Sequence, residues 1–135
     1  MASEGSGDPL LQSVVPILAV DDLEAALAWY RDVLGFAVAW TWGEPPYLAG
    51  VCRDRVELQL ARRGTVGPPG PSQVYVRMTG IDACYRRLAA AGAEIPVPLE
   101  ERPYGMKDFS VRDPGGNRLD FGEELPVSDP SRSRA

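Results

Sequence analysis

Residues 14–35, VVPILAVDDLEAALAWYRDVLG, contain the pattern that decides the fold. Residues 14–20 are an apolar run of strand length, which predicts a first β-strand. Apolar side chains then recur at the spacing of an amphipathic helix, at Leu23, Leu27, Tyr30 and Leu34. We predict that this helix begins at a capping box, with Asp21 as the N-cap and Glu24 three residues later, and that Gly35 ends it. The segment is therefore a strand followed by a helix.

The same strand–helix unit occurs a second time along the chain. Residues 74–78 have a β-rich composition and precede a helical pattern that stops at Gly92. The apolar face of this second helix consists of Ile81, Cys84, Tyr85 and Leu88. A shift of 58 residues places Leu23 of the first unit on Ile81 of the second. Two copies of this length indicate a pair of modules related by a pseudo-twofold axis, rather than a solenoid of shorter repeats.

Strand-like segments follow each helix. They lie at residues 37–42, 47–52 and 56–60 in the first half and at residues 94–98, 107–112 and 118–121 in the second. The last two are joined by DPGGN at residues 113–117, a strong hairpin signal because proline fixes φ while glycine and asparagine accept positive φ. The order βαβββ thus occurs twice, which predicts an α+β fold whose two modules form a cupped mixed sheet.

The domain boundaries follow from the composition of the remaining segments. Ser, Gly, Asp and Pro are frequent in residues 1–12 and residues 126–135, which we expect to be disordered tails. The segment GPPGP at residues 67–71 is too rigid and too poor in backbone donors for a strand, so we interpret it as a linker. The rest forms one domain of two modules: residues 13–125, divided into about 13–66 and about 72–125.

The composition excludes several classes of function. The chain has 135 residues, of which 44% are hydrophobic and 24% charged, the mix of a single globular domain. It contains no histidine, which excludes histidine-dependent catalytic triads, His-ligated zinc and the iron centre of two histidines and one carboxylate. A formal net charge of −5 argues against a nucleic-acid partner and is better matched to a cationic partner or to none.

The sequence also suggests a location. No run of apolar residues is long enough for a membrane span, so we expect no membrane partner. The first residues lack the basic and apolar regions of a signal peptide. Cys52 and Cys84 are too few for a disulfide scaffold and lack CxxC spacing. We therefore expect a cytoplasmic protein.

Three features together resemble a known family. The repeated module, the segment WYRDVLGF at residues 29–36 and the hairpin RDPGGNRLDF at residues 112–121 resemble the vicinal oxygen chelate superfamily, which has the glyoxalase/bleomycin-resistance fold. The resemblance covers about residues 13–124. Within the superfamily, Pro16 in the first strand and ERPYG at residues 101–105 look most like the bleomycin-resistance proteins.

The catalytic branches of this superfamily hold a divalent metal with up to four protein ligands, two from each module. By position these ligands correspond to Val15, Glu57, Gln73 and Asp120. The resemblance implies that Glu57 and Asp120 occupy equivalent places in the two modules. Since valine cannot bind a metal, the remaining oxygen donors suit at most a hard ion such as Mg²⁺ or Ca²⁺. We therefore expect no metal and no cofactor, and glyoxalase, dioxygenase and thiol-transferase activities are disfavoured.

The resemblance to bleomycin-resistance proteins implies a binding function. Those proteins are non-catalytic homodimers that sequester a cationic glycopeptide antibiotic in clefts at the subunit interface, where aromatic residues stack on its flat rings. The resemblance implies that the arm around Pro16 is exchanged between protomers. It also favours Leu48 as inward-facing, with Tyr47 at the rim. The ligand-binding residues implied here are Trp40, Trp42, Tyr47, Leu48, Glu57, Tyr104 and Asp120.

Several of these residues also have a structural interpretation. Trp40 and Trp42 share strand parity and lie on one face, which is either a cavity or the core. Glu57 and Asp120 lie in apolar-flanked strands and are compatible with a solvated sheet face as well as with a cavity. Pro16 is compatible with an edge strand as well as with an exchanged arm.

Two other functions stay open at this stage. One is a metal-dependent lyase or isomerase of the same superfamily, with an oxygen-only metal site at Glu57, Gln73 and Asp120. The other is a scaffold that has lost ligand binding and keeps only its dimer interface. Metal analysis distinguishes the first of these from antibiotic binding, and a cavity filled by Trp40 and Trp42 would favour the second.

Overall fold

Two βαβββ modules follow each other along the chain, as the sequence predicts. The structure is a computed structural model that describes residues 8–65 and 70–126. The first module contains β1 (Ile17–Val20), α1 (Leu23–Asp32), β2 (Ala37–Trp42), β3 (Leu48–Arg53) and β4 (Val56–Arg62). The second contains β5 (Gln73–Arg77), α2 (Ile81–Ala90), β6 (Glu94–Glu101), β7 (Met106–Arg112) and β8 (Arg118–Glu124). The predicted α+β class is confirmed.

Part of the chain falls outside this description. Of the predicted tails and linker, residues 1–7, 127–135 and 67–69 lie outside the described residues. Residues 8–16 contain neither helix nor strand. Within the described part, neither helix has the length and apolar character needed to cross a membrane.

Each module folds into its own four-stranded mixed sheet. The strand order is β1-β4-β3-β2 in the first sheet and β5-β8-β7-β6 in the second. The first strand of each module is parallel to its neighbour, and the other pairs are antiparallel. The registers also match, because Ile17 lies opposite Gln59 while Tyr75, at the expected shift of 58 residues, lies opposite Asp120. The repeat therefore extends to individual residue pairs.

Each sheet has one face that forms the core and one face that is open. Helix α1 covers the first sheet, and the strand residues beneath it are buried: Leu18, Val51, Leu58 and Leu60. We call the opposite side of this sheet the first open face. It includes Trp40, Gly50 and Gln59, which are paired across neighbouring strands. The corresponding second open face includes Tyr75, Asp120 and Ser110. All strand residues of the predicted site lie on these two faces, and the other two, Tyr47 and Tyr104, lie in loops.

The start of α1 differs by one residue from the prediction. Asp22 is the N-cap, and its Oδ1 accepts a hydrogen bond from Ala25 N at 3.1 Å. Asp21 instead accepts a hydrogen bond from Arg63 Nε at 2.7 Å. Both aspartates have the side-chain oxygen that an N-cap requires. Because Asp21 forms the ion pair with Arg63, Asp22 caps the helix. The prediction of a capping box formed by Asp21 and Glu24 is therefore wrong, although the predicted helix is present.

Strand β1 is an outer strand of the first sheet. It pairs with β4 of the same chain, and just before it the carbonyl oxygen of Pro16 accepts a hydrogen bond from Gln59 N at 2.9 Å. Proline has no N–H to donate, so a position at the start of an edge strand suits it. Exchange of this arm between protomers stays a prediction.

The DPGGN turn joins the second module to the first. Asp113 Oδ1 accepts hydrogen bonds from the backbone N of Gly115 and of Asn117, each at 2.8 Å. The buried Asn117 donates from Nδ2 to the carbonyl oxygen of Ala19 at 2.7 Å, and Tyr30 Oη on α1 donates to Asp113 Oδ2 at 2.7 Å. The predicted turn is confirmed, and its side chains also bind β1 and α1 of the other module.

Candidate functional site

Two indole rings project from the first open face. Trp40 and Trp42 on β2 lie opposite Gly50 and Leu48 on β3, so both rings are on the same side of the sheet. Trp42 is 65% exposed and Trp40 is 37% exposed. The Trp40 ring covers Gly50, since a Cβ atom built on that glycine would collide with the indole. Both rings therefore lie outside the hydrophobic core.

An acidic side chain lies on the same open face. Glu57 on β4 is opposite Cys52 on β3, and it is exposed. Among the described residues, Glu57 has no hydrogen bond or ion pair. Neighbouring strands are about 4.8 Å apart, so β2 and β4 are about 10 Å apart across this face. Leu48, half-buried, lies between the two strands, and Tyr47 is half-buried against Gly43 in the preceding turn.

The second open face holds a group of connected polar side chains. Asp108 on β7 is only 6% exposed and accepts hydrogen bonds from three side chains: Tyr104 Oη at 2.6 Å, Arg102 Nε at 2.7 Å and Tyr75 Oη at 3.0 Å. We call these four residues the Asp108 cluster. They line a cavity of about 330 Å³ on this face. Tyr75 covers Gly122, where a Cβ atom would collide with its hydroxyl group.

The pKa values follow from these contacts. Burial acts to raise the pKa of Asp108, but the hydrogen bonds from Tyr104, Arg102 and Tyr75 outweigh it and hold this pKa below its ordinary value. The bond to the carboxylate raises the pKa of Tyr104, and burial together with the same carboxylate raises that of Tyr75. Asp108 is thus an anion, and both phenols are neutral donors at physiological pH.

A second carboxylate lies in the same cavity. Asp120 on β8 is 8% exposed, and it accepts hydrogen bonds from Gln73 Nε2 at 2.8 Å and from Arg118 Nε at 2.7 Å. Ser110, opposite Asp120 on β7, also lines the cavity. Its hydroxyl group is buried and has no hydrogen-bond partner within the part of the chain that the structure describes. Ser110 is therefore a buried polar group in the wall of this cavity that has no partner among the described residues.

The pairing of the strands changes one expected equivalence. Glu57 and Asp120 were expected at equivalent places in the two modules. The registers place Asp120 at the position of Gln59, and Glu57 at the position of Arg118. The equivalence implied by the resemblance therefore differs from the observed registers by two residues along β4.

The donor atoms do not fit a resident metal ion. In residues 8–65 and 70–126, no three Cys, Asp or Glu side chains lie close enough together to hold one. Gln73 and Asp120 do meet, but Glu57 lies on the other sheet. Each oxygen of Asp120 already accepts a hydrogen bond, one of them from the cation Arg118, which opposes a second positive charge at the same carboxylate.

Sequence reasoning found some of these residues and missed others. Trp40, Trp42, Leu48 and Glu57 lie on the first open face, whereas Tyr104 and Asp120 line the cavity of the second. The residues not predicted as site residues are Tyr75, Arg102, Asp108, Ser110 and Arg118. A signal was available, because strand alternation in residues 106–112 places Asp108 and Ser110 on one face.

One protein family model matches most of the chain. The family model described as the Glyoxalase/Bleomycin resistance protein/Dioxygenase superfamily matches residues 11–121. None of the curated proteins matches the chain.

Solved structures with the same fold come from several bacteria. TioX from Micromonospora sp. ML1 is 27% identical with a TM-score of 0.74, covering 84% of this chain and 100% of its own. The bleomycin-binding protein of Streptomyces verticillus, solved with copper(II)-bleomycin, is 24% identical with a TM-score of 0.68, covering 89% and 100%. Lactoylglutathione lyase from Agrobacterium tumefaciens is 24% identical with a TM-score of 0.69, covering 84% and 94%. The last two likenesses show a shared fold only.

Proposed function

Because this chain belongs to the glyoxalase/bleomycin resistance protein/dioxygenase superfamily, we propose that it binds a bleomycin-type glycopeptide antibiotic or a similar cationic aromatic molecule. In this proposal the protein sequesters the molecule and leaves its covalent structure unchanged. Resistance follows because the bound drug cannot reach its target. The bleomycin-binding protein of Streptomyces verticillus has the same fold and was solved with its drug, which supports the class of ligand.

The observation that carries the proposal is the pair of exposed indoles on the first open face. Large aromatic side chains standing together outside the core offer flat surfaces to a flat heteroaromatic group. A well-formed aromatic pair contributes about 0.5–1.5 kcal/mol beyond the burial of its area. Glu57, exposed and unpaired among the described residues, offers a carboxylate on the same face to an ammonium group. In this proposal, stacking and charge attraction are therefore sufficient for binding, and neither requires a chemical reaction of the ligand.

The two carboxylates of the second open face have a different role in this proposal. Asp108 and Asp120 already accept hydrogen bonds from arginines, so neither attracts a cation as strongly as a free carboxylate would. Instead, Asp108 holds the phenol of Tyr104, which is 54% exposed, in one orientation beside the cavity. The exposed side of this ring is the contact on the second open face that we assign to the ligand.

We also propose that the binding cleft forms between two copies of the chain. The indoles and the Asp108 cluster lie on different sheets, and a partner would place the first open face of one copy against the second open face of the other. Leu10, Leu11 and Val14 are 78%, 97% and 90% exposed, and these apolar side chains precede β1. Burial of this arm on a second copy would remove them from water. Light scattering at micromolar protein tests this arrangement, and a monomer would contradict it.

The central test is titration with bleomycin, followed by tryptophan fluorescence and calorimetry. We expect saturable quenching with one drug per cleft and recovery of chemically unchanged drug. Trp42→Ala should weaken binding by about tenfold, the equivalent of one aromatic stack. Trp29→Phe is the matched control, because Trp29 lies on α1 beside Tyr30 and away from the open face. This variant should bind bleomycin with the wild-type affinity. Equal affinities for wild type and Trp42→Ala would remove the first open face from the site.

Neutralising the free carboxylate should have a smaller, salt-dependent effect. An exposed ion pair contributes about 0.2–1 kcal/mol, so Glu57→Gln should weaken binding by at most about fivefold. The loss should shrink as salt rises, because exposed charges are screened. Glu24→Gln on the outside of α1 has the same change in net charge and should leave affinity unchanged. An equal loss in both variants would indicate a general charge effect instead of a contact.

The alternative function is a lyase or isomerase with an oxygen-only metal site. Its donor set would be Glu57, Gln73 and Asp120, and the hydrogen bonds of Asp120 to Gln73 and Arg118 oppose it. Calorimetric titration with Mg²⁺ and Ca²⁺ separates the two functions. Saturable binding of one ion, lost in Asp120→Asn, would favour the enzyme.

A further inference from the structure

The two modules differ in the hairpin between their last two strands. In the second module, Arg112 pairs with Arg118 across the five residues 113–117. In the first module, Arg53 pairs with Val56 across only two residues. The repeat is therefore least symmetric at this turn.

The long turn fills a place on the other module that the short turn leaves open. Gly115 lies so close to β1 that a Cβ atom there would be 2.8 Å from the carbonyl oxygen of Ala19 and 3.0 Å from the Cα of Val20. The residues 58 positions after Ala19 and Val20 are Arg77 and Met78, at the end of β5. Beside them, facing the short hairpin, is a cavity of about 370 Å³. The difference in turn length thus accounts for an open space between the modules.

This space continues into a second cavity of about 420 Å³. The two share lining residues from both modules, including Leu34, Arg53, Met78, Cys84 and Leu88, and we call them together the junction cleft. Its inner wall is apolar, with Phe36, Val76 and Phe121 added to these residues. Its volume is in the range of sites for small organic ligands. Burial raises the pKa of the Cys84 thiol, so this group adds no negative charge to the wall.

The rim of the junction cleft is positively charged, although the chain as a whole carries −5. Four arginines and two aspartates line it: Arg53, Arg55, Arg77, Arg87, Asp32 and Asp54. Asp32 is bound to Arg31 at 2.9 Å, and Asp54 lies 3.9 Å from Arg53. Within the described residues, the side chains of Arg55, Arg77 and Arg87 make no hydrogen bond or ion pair. Three guanidinium groups are therefore free to bind an anion.

We propose that the junction cleft is a second binding site, which takes an organic carboxylate with an apolar body. Arg55 and Arg77 line the same cavity and bind the carboxylate, since guanidinium groups match its geometry. The apolar body lies against Met78, Leu88 and Phe121. The charge of this ligand is opposite to that of the molecule proposed for the open faces, so the two sites do not compete.

The experiment uses octanoate as the probe and the whole chain as the protein. Calorimetry should show saturable binding of octanoate and much weaker binding of octanol, which has the same apolar chain without the charge. The double variant Arg55→Gln with Arg77→Gln should raise the Kd for octanoate about tenfold, the effect of losing a charge-assisted hydrogen-bonded pair. Arg86→Gln controls for the loss of a single surface charge, because this exposed arginine on α2 does not line the cleft, and it should keep the wild-type Kd.

Thiol modification locates the bound probe. With Cys52→Ser as background, Cys84 is the only cysteine, and octanoate should slow its reaction with N-ethylmaleimide in proportion to occupancy. Absence of octanoate binding, equal binding of octanol, or an unchanged Kd in the double arginine variant would overturn the proposal. Protection of Cys84 that rises with protein concentration, without octanoate, would show that a second copy fills the cleft and would also overturn it.

Discussion

Replacing Asp113 with asparagine is expected to lower the free energy of unfolding by about 3 kcal/mol, because hydrogen bonds to a buried charged group contribute about 1.5–3 kcal/mol each. Asp113 is 4% exposed and accepts four hydrogen bonds, two from backbone groups, one from Tyr30 and one from Asn117 Nδ2 at 2.9 Å. An asparagine amide group would face the Asn117 amide group, donor against donor. Urea denaturation measures the change.

The matched control is Asp54→Asn in the short hairpin of the first module. The Asp54 side chain is 89% exposed, and asparagine tolerates its positive φ of 53°. The free energy of unfolding of this variant should stay within about 0.5 kcal/mol of wild type, as is usual for surface changes. Similar losses in Asp113→Asn and Asp54→Asn would mean that the contacts between the modules contribute little.

Replacing Asp108 with asparagine should also cost about 3 kcal/mol at neutral pH, since the carboxylate loses its charge-assisted bond to Arg102 and two phenol donors. The pH dependence gives the sharper result. The pKa of Asp108 in the folded protein is below its ordinary value of 3.8, so its contribution is complete above that value. The contribution is lost as pH falls through the lowered pKa. The difference between wild type and Asp108→Asn should therefore shrink in acid.

Glu100→Gln controls for charge at the same guanidinium group. Glu100 also contacts Arg102, at 3.3 Å, but its side chain is 63% exposed. Its removal should change stability by at most about 1 kcal/mol, as for other surface ion pairs. Urea denaturation from neutral to acidic pH compares the three proteins. A difference between wild type and Asp108→Asn that does not vary with pH would contradict an ionised Asp108.

Local patterns in the sequence were sufficient for the order of elements. The apolar spacing of Leu23, Leu27 and Tyr30 and the turn at residues 113–117 depend on neighbours within a few residues, and the structure confirms both elements. Neighbouring residues in the sequence did not determine whether Asp21 or Asp22 caps the helix. The choice depends on Arg63, which lies 42 residues from Asp21, and no short-range pattern reports that contact.

The residues of the candidate site also fall into two groups, those that a local pattern predicts and those that depend on contacts between distant parts of the chain. Trp40 and Trp42 could be placed on one face from parity alone, because alternation is a property of a single strand. The Asp108 cluster depends on a contact between Tyr75 and Asp108, 33 residues apart on strands that are not neighbours. In sequence, Asp108 in an alternating strand looks the same as a solvated carboxylate. Only the folded registers distinguish a buried acceptor from an exposed one.

Gly50 has a consequence for the energetics of recognition. With no side chain at this position, the Trp40 ring rests on the backbone of β3, and an alanine there would displace it. A ring that is already held in one rotamer loses no further rotational freedom when a ligand binds. This avoids a free-energy cost of about 0.5–1.5 kcal/mol for each immobilised side chain. Under the proposed function, Gly50 would therefore raise the affinity of the first open face by preorganising the Trp40 ring.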